Sequence, residues 1–385
     1  MNDSVRPAPG EPFSPGRRSL PVAVAMLAVL LVTAGASLCL GAGGWLSPWQ
    51  VAMAVAQGPI LAPFPTGQER ESVVTSGDAM FPPLSSRDIQ LIVWRLRMPR
   101  VVLAVLAGAA LAMAGASMQA VFQNPLADPY VVGASAGAGL GAVAVVWLGM
   151  GAGTIAGLNA LAAAAFVGAL GVTTLVLLVG GQGLRGSVSA AGGTTRLLLT
   201  GMAVSGLCAA LTTLLLLKTP ASDMRTVMAW LMGNLAWRGW SYPAMLAPYV
   251  ALGGLVLWRL RRQLDVLSVG DDVAHHLGAD VVRLRLTLIA IASMLAAATV
   301  AACGTIGFIG LLVPHAARRL TAPLHSVLLP MCAIGGGALL LAADLGARTV
   351  ASAEEVPVGI ITAVLGSGFF LWLLRREGVR SVSGQ

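Results

Sequence analysis

Few residues in this chain could do chemistry, and they cluster. Arg97 and Arg100 sit in an RMPR stretch at 97–100, and a polar break, QNPLADP, occupies 123–129. Between them lies an apolar run of membrane length, so the arginines mark one membrane face and the break marks the other. There is no G-x-x-x-x-G-K-[ST] loop, and Lys218, the one lysine, follows leucines, so no nucleotide phosphate can be cradled in the usual way. His275 and His276 stand in a polar stretch and read as surface residues. No Cys/His or His/carboxylate set has metal-ligand spacing, so neither a metal nor another cofactor is expected. Cys39, Cys208, Cys303 and Cys332 all fall inside apolar runs and read as small packing residues. A membrane-embedded enzyme would need a catalytic cluster, and the sequence offers none.

The elements that position these residues follow from composition. Hydrophobic residues make up 57% of the chain, charged residues 10%, and the mean hydropathy is +0.83. Soluble domains carry about 25% charged residues, so this surplus of apolar surface needs lipid as its solvent. The runs are long and lack two-residue alternation, which selects helices over barrel strands. Apolar stretches at 20–40, 101–122, 131–149, 154–179, 197–217, 243–260, 286–303, 305–317, 326–346 and 357–374 predict an all-α polytopic membrane protein of about ten transmembrane helices. The 305–317 stretch is short and broken by glycine, so it is not expected to cross as one straight helix.

With the amino terminus inside, both termini are cytoplasmic and most of the 24 basic residues fall on inside segments. The net charge of +8 therefore reflects membrane topology, and without an aromatic-interleaved basic patch no nucleic-acid partner is expected. Residues 1–19 form a polar, basic tail expected to be disordered. Residues 20–376 form the membrane domain, and 377–385 a second cytoplasmic tail. The 42–92 segment is expected to be a long extracytoplasmic loop. Gly133, Gly137 and Gly141, four apart, suit close helix packing in lipid. Acids at mid-helix depth are scarce, with Asp344, Glu354 and Glu355 near the predicted outer face, which weakens an ion-coupled secondary carrier.

The segment 264–280, LDVLSVGDDVAHHLGAD, is polar yet keeps Leu264, Leu267, Val273 and Leu277. It has the length for two short helices joined at Gly270. It suits either a solvated loop or a docking element for a soluble cytoplasmic partner.

Six ordered motifs, from about Trp94 to Arg376, resemble the permease subunits of the FecCD type. They are RMPR at 97–100, QNPLADP at 123–129, RLLLTG at 196–201, LSVGDDVAHHLG at 267–278, GTIGFIGLLVPH at 304–315 with Arg318, and EVPVG at 355–359. Such chains belong to ABC importers for ferric siderophores, haem and cobalamin. The resemblance implies a cobalamin-importer-like, type II permease in the inner (plasma) membrane that works as a homodimer. It also implies a separate ATP-binding subunit on the cytoplasmic face and a substrate-binding protein outside. Of the possible cargoes an iron chelate is expected, since those importers are the most numerous, with cobalamin as the alternative. By position, Arg97, Arg100 and Arg348 match arginines that pair with acids on the binding protein, a task suited to arginine's fork. Leu267, Ser268, Gly270, Asp271, Ala274, Leu277 and Gly278 fall in the ATPase-coupling helices. Asn124 and Leu126 match a cytoplasmic gate, and Thr194 and Thr195 lie where a second gating loop is expected. The basic amino-terminal tail and the 42–92 segment are both extended for the family.

Overall fold

The computed structural model describes residues 16–41, 44–59, 85–151, 153–155, 158–181, 190–236, 238–350 and 355–382. Most of the amino-terminal tail, the centre of the 42–92 segment and the glycine-rich stretch before Ala190 lie outside the described residues.

Helix α1 (Gly16–Cys39) is the first crossing. A short antiparallel ribbon, β1 (Leu40–Gly41) and β2 (Gly44–Trp45), turns the chain at its outer end. Helix α2 (Pro48–Gln57) follows, started by a reciprocal cap between Ser47 and Gln50 with proline at the first turn. A second such cap, Ser85 with Asp88, opens α3 (Ser86–Leu91). This helix continues through a π-helical turn, Ile92–Arg97, into α4 (Met98–Val121).

The loop expected over 42–92 is therefore corrected at its described ends, which are helical. The physical reason is a small satellite core of Leu46, Val51, Ala54, Ile89 and Val93. Trp94 Nε1 donates to the Ala54 carbonyl at 2.9 Å and Gln90 Nε2 to that of Gly58 at 2.7 Å, which fixes α2 against the root of α4.

After the polar break come α5 (Ala134–Trp147), a ribbon of β3 (Thr154–Ile155) and β4 (Leu158–Asn159), then α6 (Ala160–Gly180), α7 (Ala190–Leu217), α8 (Ala221–Leu231) and α9 (Ser241–Arg259). The short pair α10 (Arg261–Val269) and α11 (Asp271–His276) precedes α12 (Val281–Cys303), α13 (Ile309–Leu320), α14 (His325–Val350) and α15 (Val358–Val382). The tail placed at 377–385 is helical as far as Val382.

Seven of these helices are long and apolar enough to cross a membrane, and Ala134–Trp147 and Val358–Leu373 add two shorter apolar ones. The 305–317 stretch became α13, whose 12 residues span roughly 18 Å at 1.5 Å per residue. That falls short of a hydrocarbon core about 30 Å thick, so α13 is a half-crossing, as its glycines suggested.

Helix α4 is the axis of the bundle. Most of its residues are buried, whereas α1 and α7 are mostly exposed, with Leu199, Leu207, Leu211, Leu214 and Leu217 of α7 facing outward. Its composition explains this: alanines and glycines let neighbours approach to backbone contact. A β-carbon on Gly108 would collide with the Gly336 carbonyl of α14, and one on Gly115 with the Gly310 carbonyl of α13. In lipid such close approach replaces the hydrophobic effect as the source of helix association. The glycine stripe of α5 packs the same way, with Gly137 and Gly141 against the backbone of α6 at Gly168 and Ala164.

Candidate docking and coupling sites

At the end of the bundle expected to face outward, the three arginines singled out from sequence converge. Arg97 closes the π-helical turn and is 5% exposed. It donates to the carbonyls of Leu38 at 2.6 Å, Cys39 at 2.7 Å and Gly44 at 2.8 Å, so it knits α1 and the ribbon to α4. Arg348, on the last turn of α14, donates to the Leu40 carbonyl at 2.9 Å and to the Ser37 hydroxyl. Its Nε lies 3.2 Å from Asp344. Arg100 grips Asp344 through Nε at 3.0 Å and Nη2 at 2.8 Å, and reaches Glu355 through Nη1 at 2.8 Å. The Asp344 carboxylate is fully buried.

All three guanidiniums are thus bonded within the chain while lining a cavity at this end. What they leave facing outward is a field. With Arg95, Arg238 and Glu355 they line a cavity of about 270 Å³ in which five arginines meet one lining carboxylate, with Asp344 beneath. Arg238 lies over the Tyr242 ring at 4.5 Å. Excess positive charge at the mouth of a low-dielectric cleft focuses potential toward an acidic surface. Asp344 was the residue sequence reasoning undervalued. An acid inside an apolar helix is expensive in lipid, and that cost was the available signal.

At the opposite end of the bundle, expected to be cytoplasmic, α10 and α11 form the two short helices expected over 264–280, joined at Gly270 with φ 151° and ψ 157°. The four leucine and valine positions do not share one face. Leu264 and Leu267 are fully buried in the main core and anchor the pair, which corrects their reading as docking contacts. Val273 and Leu277 face outward, joined by Val269. Ala274 is buried, and the Ser268 hydroxyl bonds back to the Leu264 carbonyl at 2.7 Å. Gly278 takes positive φ where α11 ends. His275 and His276 are exposed, as expected.

Three polar ties fasten this pair to the bundle. Asp265 accepts from the backbone nitrogen of His325 and lies against its Nδ1, both at 2.7 Å, capping α14. Asp271 pairs with Arg285 of α12 at 2.7 Å. Gln123, at the foot of α4, donates to Asp271 at 2.9 Å and to the Leu267 carbonyl at 3.2 Å. Gln123, Asp265, Arg285 and His325 were not singled out from sequence, because their partners lie far along the chain.

Next to Gln123, the Asn124 side chain accepts from the Leu126 backbone at 2.9 Å, a local turn that leaves Leu126 37% exposed. Thr194 and Thr195 lie near the start of α7, half-buried and exposed respectively. That helix packs on the segment after the break, with Gly201 against the Val131 carbonyl. The four cysteines are buried and free.

The sequence matches the FecCD transport family over residues 27–376. The chain belongs to that family. Among curated proteins it is similar to the cobalamin import system permease protein BtuC of Halobacterium salinarum, 44% identical over 293 residues, 76% of each chain. The hemin transport system permease protein HmuU of Yersinia pestis is 38% identical over 76% of this chain and 86% of its own length. Among solved structures, a metal-chelate type ABC transporter in an inward-facing conformation matches with a TM-score of 0.73 at 26% identity, covering 93% of this chain and 99% of that one. Membership in the FecCD family accounts for the order of all six motifs and for the multi-pass helical architecture.

Proposed function

We propose that this FecCD-family chain is the membrane-spanning permease of an ATP-driven importer for a metal chelate. ATP is bound and hydrolysed by a separate subunit, and two copies of the chain enclose the pathway. The observation that carries this reading is the cytoplasmic helix pair. It presents Val269, Val273 and Leu277 to water on a short segment bonded to three bundle helices, which a solvated loop would not need. An apolar face on a rigid mount suits a soluble ATPase, and Ser268, Gly270, Asp271, Ala274 and Gly278 hold its shape behind it.

On the outer face, the basic cavity suits an acidic substrate-binding protein. Because Arg97, Arg100 and Arg348 are internally bonded, we assign them the positive floor of that cavity, acting through the field they set up. Asn124 and Leu126, with Thr194 and Thr195, are proposed as the constriction at the cytoplasmic end. Cobalamin and haem, the cargoes named for the two relatives, and ferric siderophores are all large metal chelates, and that is the class assigned here. An ion-coupled carrier fits less well. Among the described residues, Asp344 is the fully buried acid, and two arginines hold it.

The test is assembly. Co-expressed with its ATPase and binding protein, the chain should purify as a complex with two permeases and two ATPases. Stable association with no ATPase would contradict the proposal.

A further inference from the structure

Helix α4 ends in a Schellman arrangement. The Asn124 nitrogen donates to the Gln119 carbonyl at 3.1 Å, and the Gln123 nitrogen to that of Ala120 at 3.3 Å. Such an ending needs a left-handed residue, and glycine is its usual occupant. Here the position is held by Gln123 at φ 49°; among the described residues, Phe308 is the other non-glycine with positive φ. A β-carbon in that region is strained, and strain of this kind gathers where a side chain has a task.

The task is visible in what the amide reaches. Nε2 supplies a donor to the Leu267 carbonyl, one of the last four carbonyls of α10 and therefore without an intrahelical donor. Its second proton goes to Asp271, the first residue of α11, which Arg285 also holds. One side chain therefore touches both short helices across their Gly270 joint. The residue that follows in sequence is Asn124, whose turn shapes Leu126. Glycine would satisfy the helix ending but could not make this reach.

We infer, resting on the importer reading above, that Gln123 is a positioning residue tying the cytoplasmic gate to the coupling helices. When the ATP-binding partner displaces α10 and α11, the tie hands that movement to the Asn124–Leu126 turn directly. The packed core need not deform, because the strained hinge and the bonded amide belong to the same residue.

Two variants separate this role from simple helix capping. Gln123→Gly removes the strain and the reach together. Gln123→Asn keeps an amide and tolerance of left-handed backbone, but is one methylene too short. Both should fold, with melting temperatures close to that of the parent chain. In proteoliposomes containing the ATPase and binding protein, cargo moved per ATP hydrolysed should fall roughly tenfold, within the usual range of coupling between linked sites. Combining Gln123→Gly with Asp271→Ala should cost less than the two losses added, because each change removes the bond between these two side chains. Parent-level transport per ATP in both single variants would overturn the inference while leaving the importer reading intact. A Gln123→Gly chain that does not fold would overturn it as well, by showing a structural role. A parent complex that moves no cargo with ATP would instead sink the importer reading, and this inference with it.

Discussion

Arg100 and Arg348 share Asp344, and removing that one carboxylate would leave the two guanidiniums close together in a largely buried site, with only the partly exposed Glu355 on Arg100 as counter-charge. Breaking a buried pair this way costs about 3–5 kcal/mol. Asp344→Asn should therefore lower the thermal unfolding temperature in detergent sharply and reduce the folded yield. Glu355→Gln cuts the other bond to Arg100, but its side chain is 27% exposed, and water can replace the lost acceptor. That change should cost about 1 kcal/mol or less. Equal losses would show that Asp344 is not the keystone. The arginines themselves were legible in sequence because two of them flank a membrane run. Their inward commitment was not, because Asp344 lies 244 residues from Arg100 and nothing local links them.

Among the elements, the pair α4–α14 and the joint at Gly270 carry the clearest consequences. Gly108 meets the Gly336 backbone, so Gly108→Leu must push the two helices apart. It should cost about 1–3 kcal/mol, as overpacking does. Gly346→Ala, on α14 with open space around it, should change the melting curve little. Gly270 poses the opposite case, with room for a β-carbon but backbone angles that only glycine adopts readily. Gly270→Ala should re-aim α11 and lower ATP-driven uptake while the bundle melts as before; unchanged uptake would count against the coupling role. Hydropathy revealed the helices well, including the half-crossing at α13, because length and glycine content are local properties. It did not separate α2, ten mostly apolar residues too short to cross a membrane, from the segment around it, nor assign faces to the leucines of α10. Leu264 and Leu267 resemble Val273 and Leu277 in spacing, yet only the tertiary fold decides which pair turns inward.

For the whole molecule, the two ends of the permease act on different partners through one rigid bundle. The cytoplasmic face offers exposed apolar side chains, and the outer face a basic cavity. Leu277→Asp and Val273→Asp place charge on the proposed ATPase-docking face without touching the core. Each should weaken co-purification with the ATPase by roughly tenfold or more, as loss of an interface anchor does, while folded yield stays at the parent level. The outer interface should be the salt-sensitive one, because its attraction is a field screened over about 8–10 Å. Raising salt should slow capture of the binding protein and leave ATPase association largely intact. The central claim is that this chain moves a metal chelate inward at the expense of ATP hydrolysed by another subunit. It is tested most directly by uptake into proteoliposomes that hold the permease and its ATPase, with ATP inside and the binding protein outside, offered cobalamin, haem or a ferric siderophore. Accumulation of one of these that requires ATP is the predicted result. Accumulation that ignores ATP and follows a proton or sodium gradient would contradict it.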